Sequence, residues 1–170
     1  MSRRGCTIGV PFHANGASGL YFGGALVGYS IDGVDIELIP KHNDIMVDVF
    51  GGSRGVPGDI QFLCEEAIIS TTLISWSWQV LKAAIQASRA GAAAGTMPAS
   101  GIMLGANGFL KRLSIPSPLD GVPWSFPAAT LVSPNRFNPA TVANPIALTW
   151  RAIPYKKNAD SSAGAVLYTN

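Results

Sequence analysis

Between residues 34 and 66, apolar and polar side chains alternate over several runs, and most of the polar ones are acidic. The clearest run is VDIELI, in which three apolar residues alternate with Asp35 and Glu37. Successive side chains of a β-strand point to opposite faces, so this spacing predicts a strand with one apolar and one acidic face. A chain patterned in this way is constrained to fold mainly as β-structure.

Two further runs repeat the pattern. NDIMVDVF, residues 43–50, places Asp44 and Asp48 on one side, and DIQFLCEEAII, residues 59–69, alternates in the same way except at Leu63. We take five of the acidic residues in the three runs as the candidate functional side chains: Asp35, Glu37, Asp48, Asp59 and Glu65. The simplest alternative is that they form the solvated side of an antiparallel sheet. Such a face usually mixes lysine with glutamate, and this one is nearly free of lysine.

Charge is divided unevenly along the chain. Residues 32–66 hold eight of the ten carboxylates against two bases, a net charge of about −6. The remaining residues carry ten bases against two acids, about +8, although the whole protein is only +2. A chain with separated charges of opposite sign favours contact between its own copies.

Local signals divide the chain into strands, turns and one helix. Asp32-Gly33 is typical of a two-residue hairpin turn, and glycines in GLYFGGALVGYS suggest bends in a strand. The one helix is predicted from about Thr72 to Arg89, with capping hydroxyls before it and a polar stripe along it. Its apolar surface is wide enough that we expect cover on two sides, with both tryptophans in the core.

We predict a single domain over residues 1–170, mainly β with one flanking α-helix, as an antiparallel β-barrel or sandwich. The N-terminus, about 1–17, is expected to be extended, and long loops are expected at about 51–58 and 90–108. Strand propensity returns in GFLKRLSI, VPWSFPAATLV and NPIALTWRAI, and the chain closes with AGAVLYTN. The prolines between residues 116 and 145 favour edge strands and bends there.

The sequence lacks the usual signs of catalysis. His13 and His42 are the only histidines, too few for a typical metal site, and no nucleophile elbow, phosphate loop or CxxC pair occurs. We therefore predict no enzyme and no cofactor, although paired acids of the glycosidase type remain an alternative use of the carboxylates. Basic pairs are scattered and the main sheet is acidic, which disfavours specific binding of nucleic acid.

The order of these features resembles the tail tube proteins of tailed bacteriophages. The resemblance covers most of the chain and rests on short turn and strand motifs: Gly28-Tyr29, Asp32-Gly33-Val34, Asp48 before Gly51-Gly52, VPGDI at 56–60, the helix, NPIALTWRAIP, and GAVLYT at 164–169. The Gly/Ala-rich segment 90–108 and the proline-rich segment 116–145 do not match that family.

The resemblance implies a virion structural protein of the tail-tube type, made in the host cytoplasm and found in the phage tail. Its copies would form hexameric rings that stack into a tube through which the genome passes. Its partners would be further copies and other tail proteins: the terminator, the baseplate, the tape measure and, in a contractile tail, the sheath. DNA would cross the lumen without specific binding, because an acidic wall repels phosphate, and no membrane is involved.

Two alternatives stay open at this point. Within the same class, the chain is a tail terminator or a baseplate tube component. From another class, it is a monomeric β-barrel that binds a small ligand or a carbohydrate, with the acidic strands on its exterior.

Overall fold

In the computed structural model the chain is described at residues 12–13, 18–47, 56–92, 96–97, 100–116, 123–133, 145–156 and 165–169. Its elements are, in chain order, β1 (Phe12–His13), β2 (Ser18–Phe22), β3 (Ala25–Val47), β4 (Val56–Trp76), α1 (Trp78–Ser88), β5 (Lys111–Ile115), β6 (Trp124–Ser133), β7 (Ile146–Ala152), β8 (Tyr155–Lys156) and β9 (Ala165–Val166). The predicted mainly β chain with one helix is confirmed within these residues.

Strands β1 to β7 form one antiparallel sheet, and β8 pairs separately with β9. Strand β3 pairs with β2 on one side and with β4 on the other, so β3, β2, β5, β6, β7 and β4 close the sheet on itself. We call this part the closed sheet. Its interior is filled by large apolar side chains that are almost fully buried: Leu20, Val27, Ile69, Leu73, Leu113, Phe126, Leu148 and Trp150.

The tight turn at the start of the sheet lies at Gly23-Gly24. These residues have φ of +60° and +87° and join Phe22 to its cross-strand partner Ala25. Both angles are in the region that glycine enters without steric cost, as a two-residue hairpin turn requires. The prediction that the glycines of this segment only bend a strand is therefore wrong.

Asp32-Gly33 is not a hairpin turn but a bulge inside β3. Ser30 lies opposite Leu73 and Val34 lies opposite Thr71, so β3 has two more residues than β4 between these pairs. The carbonyl oxygen of Gly33, a residue with φ of +90°, accepts hydrogen bonds from the buried hydroxyls of Ser30 (2.6 Å) and Thr71 (3.1 Å). An Asp-Gly pair can adopt the backbone torsions of a hairpin turn or of a bulge. The hydroxyls of Ser30 and Thr71 stabilise the bulge.

Helix α1 begins at Trp78, six residues after the predicted start. Residues 72 and 73 pair with β7, and β4 continues to Trp76, so sheet pairing overrides the capping signal of Ser70 to Thr72. The helix packs against β3 and β6 through the buried Leu81 and Ala84, while Trp78 is half exposed. The expected position of Trp78 in the core is therefore wrong, and in a single copy its side of the helix is exposed, so a second cover stays a prediction.

The predicted loops lie partly outside the described residues. Residues 56–58, assigned to the first loop, belong to β4, and residues 51–55 lie outside the described part. Where the second loop, 90–108, is described, it contains turns and no strand or helix. Of the predicted N-terminal extension 1–17, only Phe12–His13 is described, as β1.

Candidate self-association surfaces

Strands β3 and β4 continue together well beyond the closed sheet. The last pair between β4 and β7 joins Ala67 to Ala152, whereas β3 and β4 stay paired from there to Val47 and Val56. We call residues 38–47 and 56–66 the arm. At about 3.3 Å per residue it projects roughly 30 Å, and in the described part of the chain its two strands pair only with each other.

Cross-strand partners place the arm's side chains on two different faces, because directly opposite residues share a face. The polar face carries Lys41, Asn43, Asp59, Gln61, Cys64 and Glu66, with Ile39 and Ile45 as its apolar members. The apolar face carries Leu38, Pro40, His42, Ile60 and Phe62, with Asp44 and Glu65 as its acidic members.

The apolar face is open to solvent. Ile60 is 62% exposed and Phe62 is 59% exposed, and the Phe62 ring meets the His42 ring edge-on at 5.8 Å between centroids. Leu63, the extra residue of a bulge between the pairs Lys41–Cys64 and His42–Phe62, is also exposed. Large apolar side chains clustered on a projecting ribbon are typical of an interaction surface.

Three of the predicted acidic residues lie on one continuous surface. Asp35 and Glu37 are exposed on the outside of the closed sheet, beside the buried Val34 and Ile36, and this side continues into the polar face with Asp59. Asp48 lies outside the described residues. The structure therefore brings Asp35, Glu37 and Asp59 to one side of the β3–β4 pair.

Glu65 does not join them. It lies opposite Pro40, on the apolar face, because the bulge at Leu63 shifts the alternation of β4 by one residue. The predicted shared face for Asp59 and Glu65 is therefore wrong. The signal in the sequence was the adjacent apolar pair Phe62-Leu63, which breaks the alternation.

Sequence reasoning missed Glu66, which lies in an ion-pair cluster at the base of the arm. Its carboxylate accepts a hydrogen bond from Arg151 Nε of β7 at 2.9 Å and lies 2.8 Å from Lys41 Nζ of β3. The Lys41 ammonium and the Arg151 guanidinium hold the pKa of the Glu66 carboxyl below its ordinary value. The cluster links three strands where the arm leaves the closed sheet.

A shallow depression of about 160 Å³ lies on the outside of the sheet beside the Gly33 bulge, lined in part by Asp32, Asp35, Thr72 and Thr149. Its volume is below the range of typical small-molecule sites, about 300–1,000 Å³. Within the described residues no group of three or more His, Cys, Asp or Glu is arranged to hold a metal ion. None of the helical structure described has the length and apolar character needed to cross a bilayer.

No protein-family model matches the chain, and no curated protein is significantly similar to it.

Proposed function

We propose that this protein is a virion structural protein whose copies assemble into hexameric rings, stacked as the tail tube of a bacteriophage. The observation that carries the proposal is the arm. A two-stranded ribbon is marginally stable in water by itself, and this one projects with both edges unpaired in the described chain and with Ile60 and Phe62 exposed. Contacts with further copies would cover these groups.

Two features of the closed sheet support the same proposal. It is a mainly β unit with one helix packed on it, which agrees with the fold that the tail-tube resemblance implies. Its interior is occupied by side chains such as Phe126 and Trp150, whereas a ligand-binding barrel of the alternative kind needs interior space. The polar side of the β3–β4 pair, with Asp35, Glu37 and Asp59, would line the channel and repel DNA.

The direct test is assembly of the purified protein, followed by light scattering after size exclusion and by negative-stain microscopy. We expect species of several subunits, rings with sixfold end views, and tubes as the concentration rises. A matched short-arm variant replaces residues 42–63 with Asn-Gly, which joins the partners Lys41 and Cys64 by a two-residue turn. It should fold and stay monomeric. A wild-type protein that remains monomeric at all concentrations would contradict the proposal.

The same images separate the roles within the tail. A tube protein forms stacked rings of indefinite length, whereas a terminator or baseplate component forms single rings. The channel assignment has its own test: tubes of Glu37→Lys/Asp59→Lys should assemble and retain double-stranded DNA, because the wall then attracts phosphate. If the lysine variants assemble and release DNA like wild type, these acids lie on a solvated outer face and not on the channel wall.

A further inference from the structure

Apart from Lys41 and Arg151 in the Glu66 cluster, charges of opposite sign lie mostly in different parts of the described structure. All seven described acidic residues fall between Asp32 and Glu66, in the β3–β4 pair. From Ala67 onward the described residues contain no aspartate or glutamate, whereas Lys82 of α1 and Lys111 and Arg112 of β5 are exposed. Acidic and basic residues are therefore mostly separated in the folded structure as well as along the sequence.

Lys82, Lys111 and Arg112 lie near the end of β3 that is farthest along the strand from the arm. Strand β3 starts after the Gly23-Gly24 turn, and the amide of Gly23 donates to the carbonyl oxygen of Arg112 at 2.8 Å. The amide of Ser77, just before α1, donates to the carbonyl oxygen of Val27, also at 2.8 Å. The start of α1 and part of β5 thus flank the first residues of β3, while the arm is formed by its last residues.

Four residues around the β4–α1 junction at this opposite end are exposed, and we group them as the basal patch: Tyr29, Ile74, Trp78 and Lys82. Tyr29 lies opposite Ser75, and Ile74 is the extra residue of a β4 bulge, so both are exposed at the junction of β4 with α1. Trp78 is 50% exposed. Lys82 follows it by four residues and so lies on the same side of the helix.

The apolar face of the arm and the basal patch are complementary in chemistry. The arm offers Ile60 and Phe62 flanked by Asp44 and Glu65, and the patch offers aromatic and aliphatic side chains beside an exposed ammonium. An aromatic centre with a charged rim is the usual composition of a protein interface. The two surfaces lie at opposite ends of the β3–β4 pair, so neither can cover the other within a single copy.

We propose that the apolar face of the arm of one copy docks on the basal patch of the next copy. The inference deepens the proposed function, on which it rests, by naming the surfaces that join successive copies. The contact is heterologous, so each copy gives one arm and receives another, and repetition propagates the assembly in the direction of the arm. The polar face of the arm stays uncovered by this contact and remains available to line the channel.

Complementary charge reversal tests this docking. One variant, Lys82→Glu, has an altered patch and a native arm; the other, Asp44→Lys/Glu65→Lys, has an altered arm and a native patch. Each alone should raise the concentration needed for assembly about tenfold or more, because every contact then joins like charges. An equal mixture should restore assembly, because the altered arm fits the altered patch and the native arm fits the native patch.

Three controls keep the test decisive. Circular dichroism and thermal melting of dilute samples should show native folding, since all three positions are at the surface. Asn43→Lys/Gln61→Lys adds positive charge to one rung of the polar face and should assemble like wild type. Phe62→Ser and Trp78→Ser test the apolar contact without changing charge, and each should impair assembly.

Reversal variants that assemble like wild type, or a mixture that stays as impaired as its components, would overturn the docking while ring formation by the wild type still supports the proposed function. The docking is also overturned if the amides of the arm gain protection from hydrogen exchange only after a different protein is added. If the wild type itself never assembles, both proposals fail.

Discussion

The same two strands run through two regions of opposite character, the closed sheet and the arm. In the closed sheet, residues 67–73 of β4 are flanked by β3 and β7 and turn one face to a filled core. In the arm, the strands pair only with each other in the described chain, and the side chains of residues 40–45 and 59–64 are exposed on both faces. Hydrogen bonding between two strands is common to both regions, so the difference in burial should set their stability and their use.

A matched pair of phenylalanines gives the largest expected contrast. Phe126 is fully buried in the closed sheet, whereas Phe62 is 59% exposed on the arm. Phe126→Ala should lower the free energy of unfolding of the dilute protein by about 3–5 kcal/mol, through lost burial and a cavity. Phe62→Ala should change it by less than about 0.5 kcal/mol. Urea denaturation at low concentration measures both, and equal losses would mean that the arm is part of the core.

The Gly33 bulge lies in β3 between the part that pairs with β2 and the arm, so its stability can be compared with that of both regions. Removing both hydroxyls that bond the Gly33 carbonyl, in Ser30→Ala/Thr71→Val, should cost about 1–3 kcal/mol, because a buried acceptor loses its partners. Each single variant should cost less than half of that, since one hydroxyl remains. Thermal melting of the three variants measures these losses of stability. If the losses are small and additive, water replaces the missing hydroxyls.

The Glu66 cluster couples the two regions, with a smaller expected effect. Glu66→Gln should cost about 1 kcal/mol near neutral pH, because Lys41 and Arg151 are about half exposed and screened by water. Since the folded pKa is lowered, this stability is complete above the ordinary value of 4.5 and is lost as pH falls through the lowered pKa. The difference between wild type and variant should therefore shrink below about pH 4.5.

Denaturation at a series of pH values measures that difference. Glu37→Gln is the control. Glu37 lies on the same side of the sheet as Glu66 but is exposed, so this substitution should change the free energy of unfolding by less than about 0.5 kcal/mol. A wild-type advantage that persists undiminished at pH 3 would contradict the assigned role of the carboxylate.

Strand alternation predicted the parts of the fold in which local pattern and burial agree. In β3 the buried Val34 and Ile36 alternate with exposed acids, as expected, and β7, predicted from strand propensity alone, is a strand in which every second residue is buried. The arm was not predictable in this way, because an alternating strand looks the same whether its apolar face is buried in the chain or left for a partner.

The remaining errors have local physical causes. Asp32-Gly33 and Gly23-Gly24 both suit a turn, and only the hydroxyls of Ser30 and Thr71, one of them 38 residues away, mark the first as a bulge. A single extra residue at Leu63 moved Glu65 to the other face. The partner of Glu66 in β7 is 85 residues away, so no local pattern indicated it.

Hydrogen exchange at low and high protein concentration tests the central claim, that further copies cover the arm. In dilute solution, the amides of residues 38–47 and 59–66 should exchange much faster than those of residues 67–73, because only one neighbouring strand protects them. On assembly, the arm and residues 74–82 around the basal patch should gain protection together, while residues 67–73 change little. Arm amides that exchange at the same rate at every concentration would contradict the account.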